Sequence, residues 1–179
     1  MAVTDTLERP GAVTFQGNPM TAIGPALAPG DAAPAFGLTN ADMGTTSLAE
    51  LSAGGTKAVL LVVVPSLDTP VCALETETFH KRLSELPADV VAAVVSRDLP
   101  FAQGRWAKAS NATEMTYLSD YRERTFGAAY GVEVKELALL ARSVFLIDRS
   151  GKLAYVEIVK EIADQPDYDV VFDAVRKLG

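Results

Sequence analysis

Two apolar runs, residues 58–64 and 90–95, are the strongest features in the pattern of hydrophobic and polar positions. Most of their residues are β-branched, and polar or helix-breaking residues bound both runs, which is typical of strands covered on both faces of a sheet. Between the runs, four positions recur near one helix face: Leu74, Thr78, Leu83 and Leu86. The charged residues of this stretch fall largely off that face. The pattern therefore predicts a strand–helix–strand unit.

Beyond residue 100 the same alternation continues with three helices and three strands. The predicted elements are a helix from Phe101 to about residue 112, a strand near residues 115–118, a helix near residues 122–130 that stops at Gly131, strands at residues 143–147 and 153–158, and a closing helix that carries Tyr168, Val171, Phe172, Val175 and Leu178 on one face. The last two strands flank Asp148-Arg149-Ser150-Gly151, which is a hairpin signature. This order predicts an α/β fold with a mixed central sheet flanked by helices.

The segment before this regular region has a different character. Residues 1 to about 35 are rich in Gly, Pro and Ala. Alternation around Val13–Phe15 is followed by a turn signal at Gly17-Asn18-Pro19. We therefore expect an N-terminal β-hairpin arm packed on the main domain.

Charge and cysteine content narrow the choice of function. The 179 residues include 16 Lys or Arg and 23 Asp or Glu, a formal net charge of −7, and no basic cluster is present. This balance argues against nucleic acid and anionic membrane surfaces as partners. The longest apolar run is far short of the roughly 20 residues that span a bilayer, and the N-terminus lacks a basic stretch, so we expect a cytoplasmic protein. With one cysteine, Cys72, and one histidine, His80, a soft-ligand zinc site is implausible.

The candidate chemistry lies in residues 65–72, between the first buried strand and the first helix. Thr69 and Pro70 have the character of an N-cap and a first helical residue, which makes Cys72 the third residue of the helix. The positive end of the helix dipole and the Thr69 hydroxyl both favour a thiolate there. Nearby acidic residues oppose it, so a cation is wanted, and Arg142 in an otherwise apolar strand entrance is the best candidate.

Each of these residues also has a plainer interpretation. A lone cysteine is by default a small buried hydrophobic residue, Thr69 is then only a cap, and Pro65 only ends a strand. Arg142 is alternatively a partner of Asp68 or Glu75, or extends to the surface. His80 and Trp106 belong to no recognisable constellation. The conjunction of strand end, cap, proline and cysteine in one octapeptide favours the chemical interpretation.

Pro65-x-x-x-Thr69-x-x-Cys72 resembles the active-site pattern of the peroxiredoxins, and Ser66-Leu67-Asp68-Thr69-Pro70-Val71-Cys72 resembles their thiol peroxidase subfamily in particular. Further segments similar to that subfamily are residues 13–19, 96–106, 141–145, 161–162 and 166–168. The resemblance implies a thioredoxin-like fold in one domain over residues 13–179, preceded by a flexible N-terminus at residues 1–12. It also implies a peroxidatic Cys72 assisted by Thr69 and Arg142, and a homodimer without metal or organic cofactor. Pro65 would then shield the oxidised sulfur.

One position departs from the subfamily pattern. Many thiol peroxidases carry a resolving cysteine directly after the pair that matches Arg105-Trp106, and this chain has Ala107 there. Natural or engineered, Ala107 rules out the intramolecular disulfide. The expected activity is therefore reduction of hydrogen peroxide and organic hydroperoxides through a sulfenic acid at Cys72, which thioredoxin or a small thiol reduces unless two chains join through Cys72. The alternatives are a peroxide sensor with little turnover and an inert thioredoxin-like binding module.

Overall fold

The computed structural model describes residues 7–178. Its strands are β1 (Glu8–Phe15), β2 (Asn18–Ile23), β3 (Gly37–Thr39), β4 (Thr45–Ser47), β5 (Ala58–Val63), β6 (Val90–Ser96), β7 (Thr116–Ser119), β8 (Glu133–Val134), β9 (Leu139–Leu140), β10 (Ser143–Ile147) and β11 (Leu153–Ile158). Its helices are α1 (Leu48–Leu51), α2 (Pro70–Lys81), α3 (Pro100–Ala109), α4 (Phe126–Ala129) and α5 (Tyr168–Arg176), with a 3₁₀ turn at Leu83–Glu85. No helix within this range has the length and apolar character needed to cross a membrane.

A seven-stranded mixed sheet forms the centre, with the order β11-β10-β5-β6-β7-β3-β4. Strands β5, β6 and β7 are parallel, whereas β10 pairs antiparallel with both β5 and β11. This arrangement confirms the predicted mixed sheet and its strand–helix–strand unit. Ligand-binding and catalytic groups gather at the carboxyl ends of such parallel strands, which is where α2 begins.

The strand β5 shows why its sequence is continuously apolar. All six of its residues are buried. Leu60 and Val62 belong to the core that contains α2 and α5, while Val59, Leu61 and Val63 belong to the core that contains α1 and α4. Successive side chains of a strand point to opposite faces, so a strand covered on both faces needs an apolar residue at every position.

The N-terminal hairpin is confirmed, but its folded part begins earlier than expected. Strand β1 starts at Glu8, which pairs with Ile23, so the boundary at residue 13 is too late. The reason is a tertiary contact, since the Arg9 guanidinium donates to the carbonyl oxygens of Gly24 and Gly131. Residues 1–6 lie outside the described residues. The hairpin pairs through β2 with β8 and β9, two short strands that the sequence pattern did not reveal.

Two predicted helices are shorter than expected. The helix expected over residues 122–130 is only α4, because the Asp120 carboxylate accepts from the N–H groups of Phe126 and Gly127 and so sets its first turn. The helix expected to reach residue 112 ends at Ala109.

The buried face of α2 also differs from the predicted one. Leu74 is 53% exposed, and the inward positions are Cys72, Glu75, Thr76 and Phe79. Those positions follow the same helical spacing from a different starting residue.

Candidate active site

The first turn of α2 positions Cys72 as its sequence predicts. Thr69 is the N-cap, in an extended conformation, and Pro70 is the first helical residue. The Thr69 hydroxyl accepts from the Cys72 N–H at 3.4 Å and donates to the Ser66 carbonyl oxygen at 2.9 Å. The hydroxyl therefore joins the loop to the helix, and Cys72 is the third helical residue.

The loop that leads into α2 is held by the neighbouring strand. Asp98 follows β6, and its carboxylate accepts from the Ser66 hydroxyl at 2.7 Å and from the Leu67 N–H at 2.8 Å. The parallel pairing of β5 and β6 brings these two strand ends together. Pro65 is buried at the end of β5 and lines the same cavity as Cys72.

Arg142 brings its guanidinium to the sulfur. It directly precedes β10, whose first residue, Ser143, pairs with Val63 at the end of β5. The side chain is buried, and its Nη2 donates to Cys72 Sγ at 3.4 Å. Its Nε donates to the Ile162 carbonyl oxygen at 2.9 Å. The structure thus brings together Cys72, Thr69, Arg142 and Pro65, the four residues that the sequence singled out.

Glu75 is the fifth member of this group. The sequence left open whether Arg142 pairs with Asp68 or with Glu75, and the structure shows that it pairs with Glu75. Its carboxylate forms a buried ion pair with Arg142 Nη1, so one guanidinium contacts both the sulfur and a carboxylate. Asp68 is instead exposed and lies 3.5 Å from Arg105. Glu75 stands three residues after Cys72, and this spacing on a helix was the signal that placed both on one face.

Burial and charge act in opposite directions on the Glu75–Arg142 pair. Burial raises the pKa of Glu75 to about 7, and Arg142 only partly offsets that effect. Burial alone lowers the pKa of Arg142, but the negative charge of Glu75 and the neighbouring Cys72 outweigh it, so the pKa is raised. Arg142 therefore remains a cation, and its guanidinium lies in contact with the sulfur.

A cavity of about 250 Å³ opens onto this group. Its walls are mainly apolar, and the residues around it are Phe15, Pro65, Thr69, Val71, Cys72, Leu137, Leu139, Arg142, Ile162 and Ala163. Cys72 is only 1% exposed, so a reactant reaches the sulfur through this cavity. The sequence did not predict Phe15, Leu137 or Leu139 as part of the site, because they come from the hairpin and from the segment before β10.

His80 and Trp106 take no part in the cavity. His80 Nε2 lies 2.5 Å from a Glu114 carboxylate oxygen at the other end of α2, and Trp106 packs against Tyr117. Within residues 7–178, no three His, Cys, Asp or Glu side chains are grouped so that they could hold a metal ion.

The cysteine lies in the first turn of a helix that follows a central parallel strand, and a guanidinium contacts its sulfur. A site of this kind on a mixed α/β sheet defines a thiol redox protein. The family model described as Redoxin matches residues 28–172. The chain belongs to this family, within it to the thiol peroxidase subfamily of the peroxiredoxins, and is therefore a peroxiredoxin enzyme that catalyses thiol-dependent peroxide reduction.

Individual relatives are similar in sequence to this chain over nearly its whole length. The chain is 40% identical to the thiol peroxidase of Bacillus subtilis over 166 residues, which is 93% of this chain and 97% of the relative. It is 42% identical to a Listeria monocytogenes thiol peroxidase over 165 residues, covering 92% of this chain and 98% of the relative. The crystal structure of a peroxiredoxin-like protein from Aquifex aeolicus superposes with a TM-score of 0.87 at 39% identity, covering 94% of this chain and 98% of that one. These likenesses confirm the thioredoxin-like fold.

Proposed function

We propose that Cys72 is the peroxidatic residue and reduces hydrogen peroxide and organic hydroperoxides through a sulfenic acid. The observation that carries the proposal is the 3.4 Å contact between Arg142 Nη2 and Cys72 Sγ inside a cavity. The contact favours the thiolate, which is the nucleophilic form of cysteine. Arg142 already pairs with Glu75 and with the Ile162 carbonyl oxygen, so its additional contact with the sulfur favours a reactive cysteine over an inert binding module.

In the proposed first step, the Cys72 thiolate attacks the terminal oxygen of R–O–O–H. The S–O bond forms while the O–O bond breaks, which leaves Cys72–S–OH and RO⁻, and RO⁻ takes a proton to leave as an alcohol or as water. Sulfur is oxidised by two electrons, and the peroxide is reduced by two. Arg142 stabilises the charge shifting between the oxygens, and the Thr69 hydroxyl adds to this when its proton turns from the Ser66 carbonyl oxygen toward the peroxide. Pro65, buried beside the cavity, shields the sulfenic acid.

In the second step, an external thiol must regenerate the enzyme. A thiol R′SH reacts with Cys72–S–OH to give water and a mixed disulfide, and a second thiol releases Cys72–SH and R′S–SR′. Cys72 is the one cysteine of the chain, and Ala107 occupies the position of the usual resolving cysteine. We therefore propose thioredoxin or a small thiol as the reductant, with a disulfide between two Cys72 residues as the competing product.

The lining of the cavity supports organic hydroperoxides as substrates. Most of its walls are hydrocarbon, so an alkyl group beside the peroxide bond would be removed from water there. The names of the relatives describe enzymes, which favours turnover over a peroxide sensor. The homodimer and the cytoplasmic location stay predictions of the sequence.

The test combines intact mass with thiol titration after reduced protein receives one equivalent of hydrogen peroxide. We expect loss of the free thiol and a mass gain of one oxygen atom, reversed when thioredoxin or a small thiol is added. Cys72→Ser should consume no peroxide. A wild-type protein whose thiol survives this treatment would contradict the proposal.

A further inference from the structure

Two segments similar to the thiol peroxidases take no part in the steps above, and the structure joins them. One, residues 13–19, includes the end of β1 at Phe15, and the other, residues 161–162, lies in the segment 160–163 that follows β11. The Thr14 N–H donates to the Lys160 carbonyl oxygen at 2.7 Å, and the Ile162 N–H donates to the Thr14 carbonyl oxygen at 2.9 Å. The hairpin and this segment therefore form a short parallel bridge.

The Glu161 carboxylate strengthens the bridge on the hairpin side. It accepts from the Thr14 hydroxyl at 2.8 Å and from the N–H groups of Gly17 at 3.0 Å and Gln16 at 3.1 Å. These hydrogen bonds lower the pKa of Glu161 to about 2, so the group is an anion at neutral pH. Gln16 and Gly17 have φ angles of 52° and 77°, so the carboxylate binds N–H groups that a left-handed turn directs toward it.

Both sides of this bridge reach the cavity at Cys72. From the hairpin side, Phe15 forms part of the wall, and from the other side Ile162 and Ala163 do. The Ile162 carbonyl oxygen also accepts from Arg142 Nε at 2.9 Å. Glu161 thus binds the hairpin on both sides of Phe15 and directly precedes Ile162, whose oxygen contacts Arg142, although its own side chain does not line the cavity.

We propose that Phe15 is a specificity-determining residue for the peroxide, and that Glu161 is the positioning residue that holds it over the cavity. The ring of Phe15 is a partner for the organic group of a bulky hydroperoxide, which hydrogen peroxide lacks. This inference rests on the proposed function, because it assumes that the peroxide enters this cavity. It predicts that loosening the hairpin changes the choice between peroxides more than it changes the chemistry of the sulfur.

The experiment measures the rate constant for oxidation of Cys72 by cumene hydroperoxide and by hydrogen peroxide, and compares their ratio among variants. Phe15→Ala should lower the ratio by about tenfold, the effect of losing part of a ring's apolar contact. Phe15→Leu, which keeps an apolar wall, should restore most of it. Glu161→Gln should lower the ratio in the same direction, because one amide oxygen cannot accept from the four donors that bind the two carboxylate oxygens, the Thr14 hydroxyl and the N–H groups of Gln16, Gly17 and Ala163.

Glu50→Gln is the matched control. The Glu50 carboxylate also accepts from a backbone N–H and a hydroxyl, both of Ser47, but it lies in α1, and neither Glu50 nor its chain neighbours line the cavity. Its loss should leave the ratio unchanged. If Glu161 had only a structural role, Glu161→Gln would slow Cys72 oxidation by both peroxides equally, or would only lower the stability of the protein. Either result would overturn the proposal.

The outcomes separate this inference from the proposed function. If the wild-type thiol reacts with neither peroxide, the proposed function fails, and the inference fails with it. If the wild type reacts and neither Phe15→Ala nor Glu161→Gln changes the ratio from its wild-type value, only the inference fails. Should Glu161→Gln not fold, the comparison of Phe15→Ala with Phe15→Leu decides the role of the wall.

Discussion

Replacing Glu75 with glutamine is expected to remove a pH dependence from the free energy of unfolding. Glu75 is fully buried, and burial raises the pKa of its carboxyl from 4.5 to about 7 in spite of Arg142. A pKa raised in the folded state stabilises the protein fully below pH 4.5, and this contribution is lost as the pH rises through about 7. The difference between the two values corresponds to about 3 kcal/mol, at about 1.4 kcal/mol per pH unit.

The assay is urea unfolding of the wild type and Glu75→Gln, with reductant present, at pH values from below 4.5 to above 7. Glutamine has the same shape but no proton to bind, so titrations common to both proteins cancel in the difference. Relative to the variant, the wild type should lose about 3 kcal/mol across this window. Glu77→Gln controls for the loss of one carboxylate from the same helix. Wild-type and Glu75→Gln curves that stay parallel would refute the reasoning, since Glu75 would then titrate alike in both states.

Three further predictions concern the sulfur, the cap and two glycines. Arg142→Lys keeps the positive charge but cannot contact the Cys72 sulfur, the Glu75 carboxylate and the Ile162 carbonyl oxygen together. It should slow Cys72 oxidation by about tenfold or more in stopped-flow measurements. An unchanged rate would contradict the assigned role. Thr69→Val should lower the free energy of unfolding in urea by about 1 kcal/mol, whereas Thr69→Ser should retain the cap. Equal losses in the two variants would argue against a capping role for the Thr69 hydroxyl. Gly104→Ala, where an added Cβ meets nothing within 4 Å inside α3, should stabilise by about 0.5–1 kcal/mol. Gly127→Ala, where a Cβ would lie 2.7 Å from Leu140, should destabilise the protein by about 1–3 kcal/mol. If the melting temperatures of the two alanine variants shift in the same direction, these two predictions are contradicted.

The elements that the sequence predicts well are those with local causes. The start of α2 follows from Thr69, Pro70 and Cys72 within four consecutive residues, and the structure confirms it. The buried strands β5 and β6 follow from unbroken apolar runs. By contrast, α4 begins at Phe126 because of Asp120, and no propensity of its own residues announces that boundary.

The same distinction holds inside the site. The cysteine, its cap and the need for a cation are readable from the residues, and Arg142 was the candidate that the apolar surroundings made conspicuous. The sequence left open whether Arg142 pairs with a thiol or a carboxylate, and the structure shows both contacts on one guanidinium. Phe15 was not predicted as a wall of the cavity, since its position there depends on the hairpin folding back over residues 160–163.

The amino-acid sequence by itself determined the order of the main central strands and helices, the capped cysteine and the absence of a second cysteine, because these depend on periodicity, composition and contacts within one turn. Tertiary structure decided what surrounds the sulfur. Arg142 lies 70 positions from Cys72, and Thr14 lies 147 positions from Glu161. Contacts at such separations depend on strand pairing and on the burial of charge across the whole molecule, which no local pattern encodes.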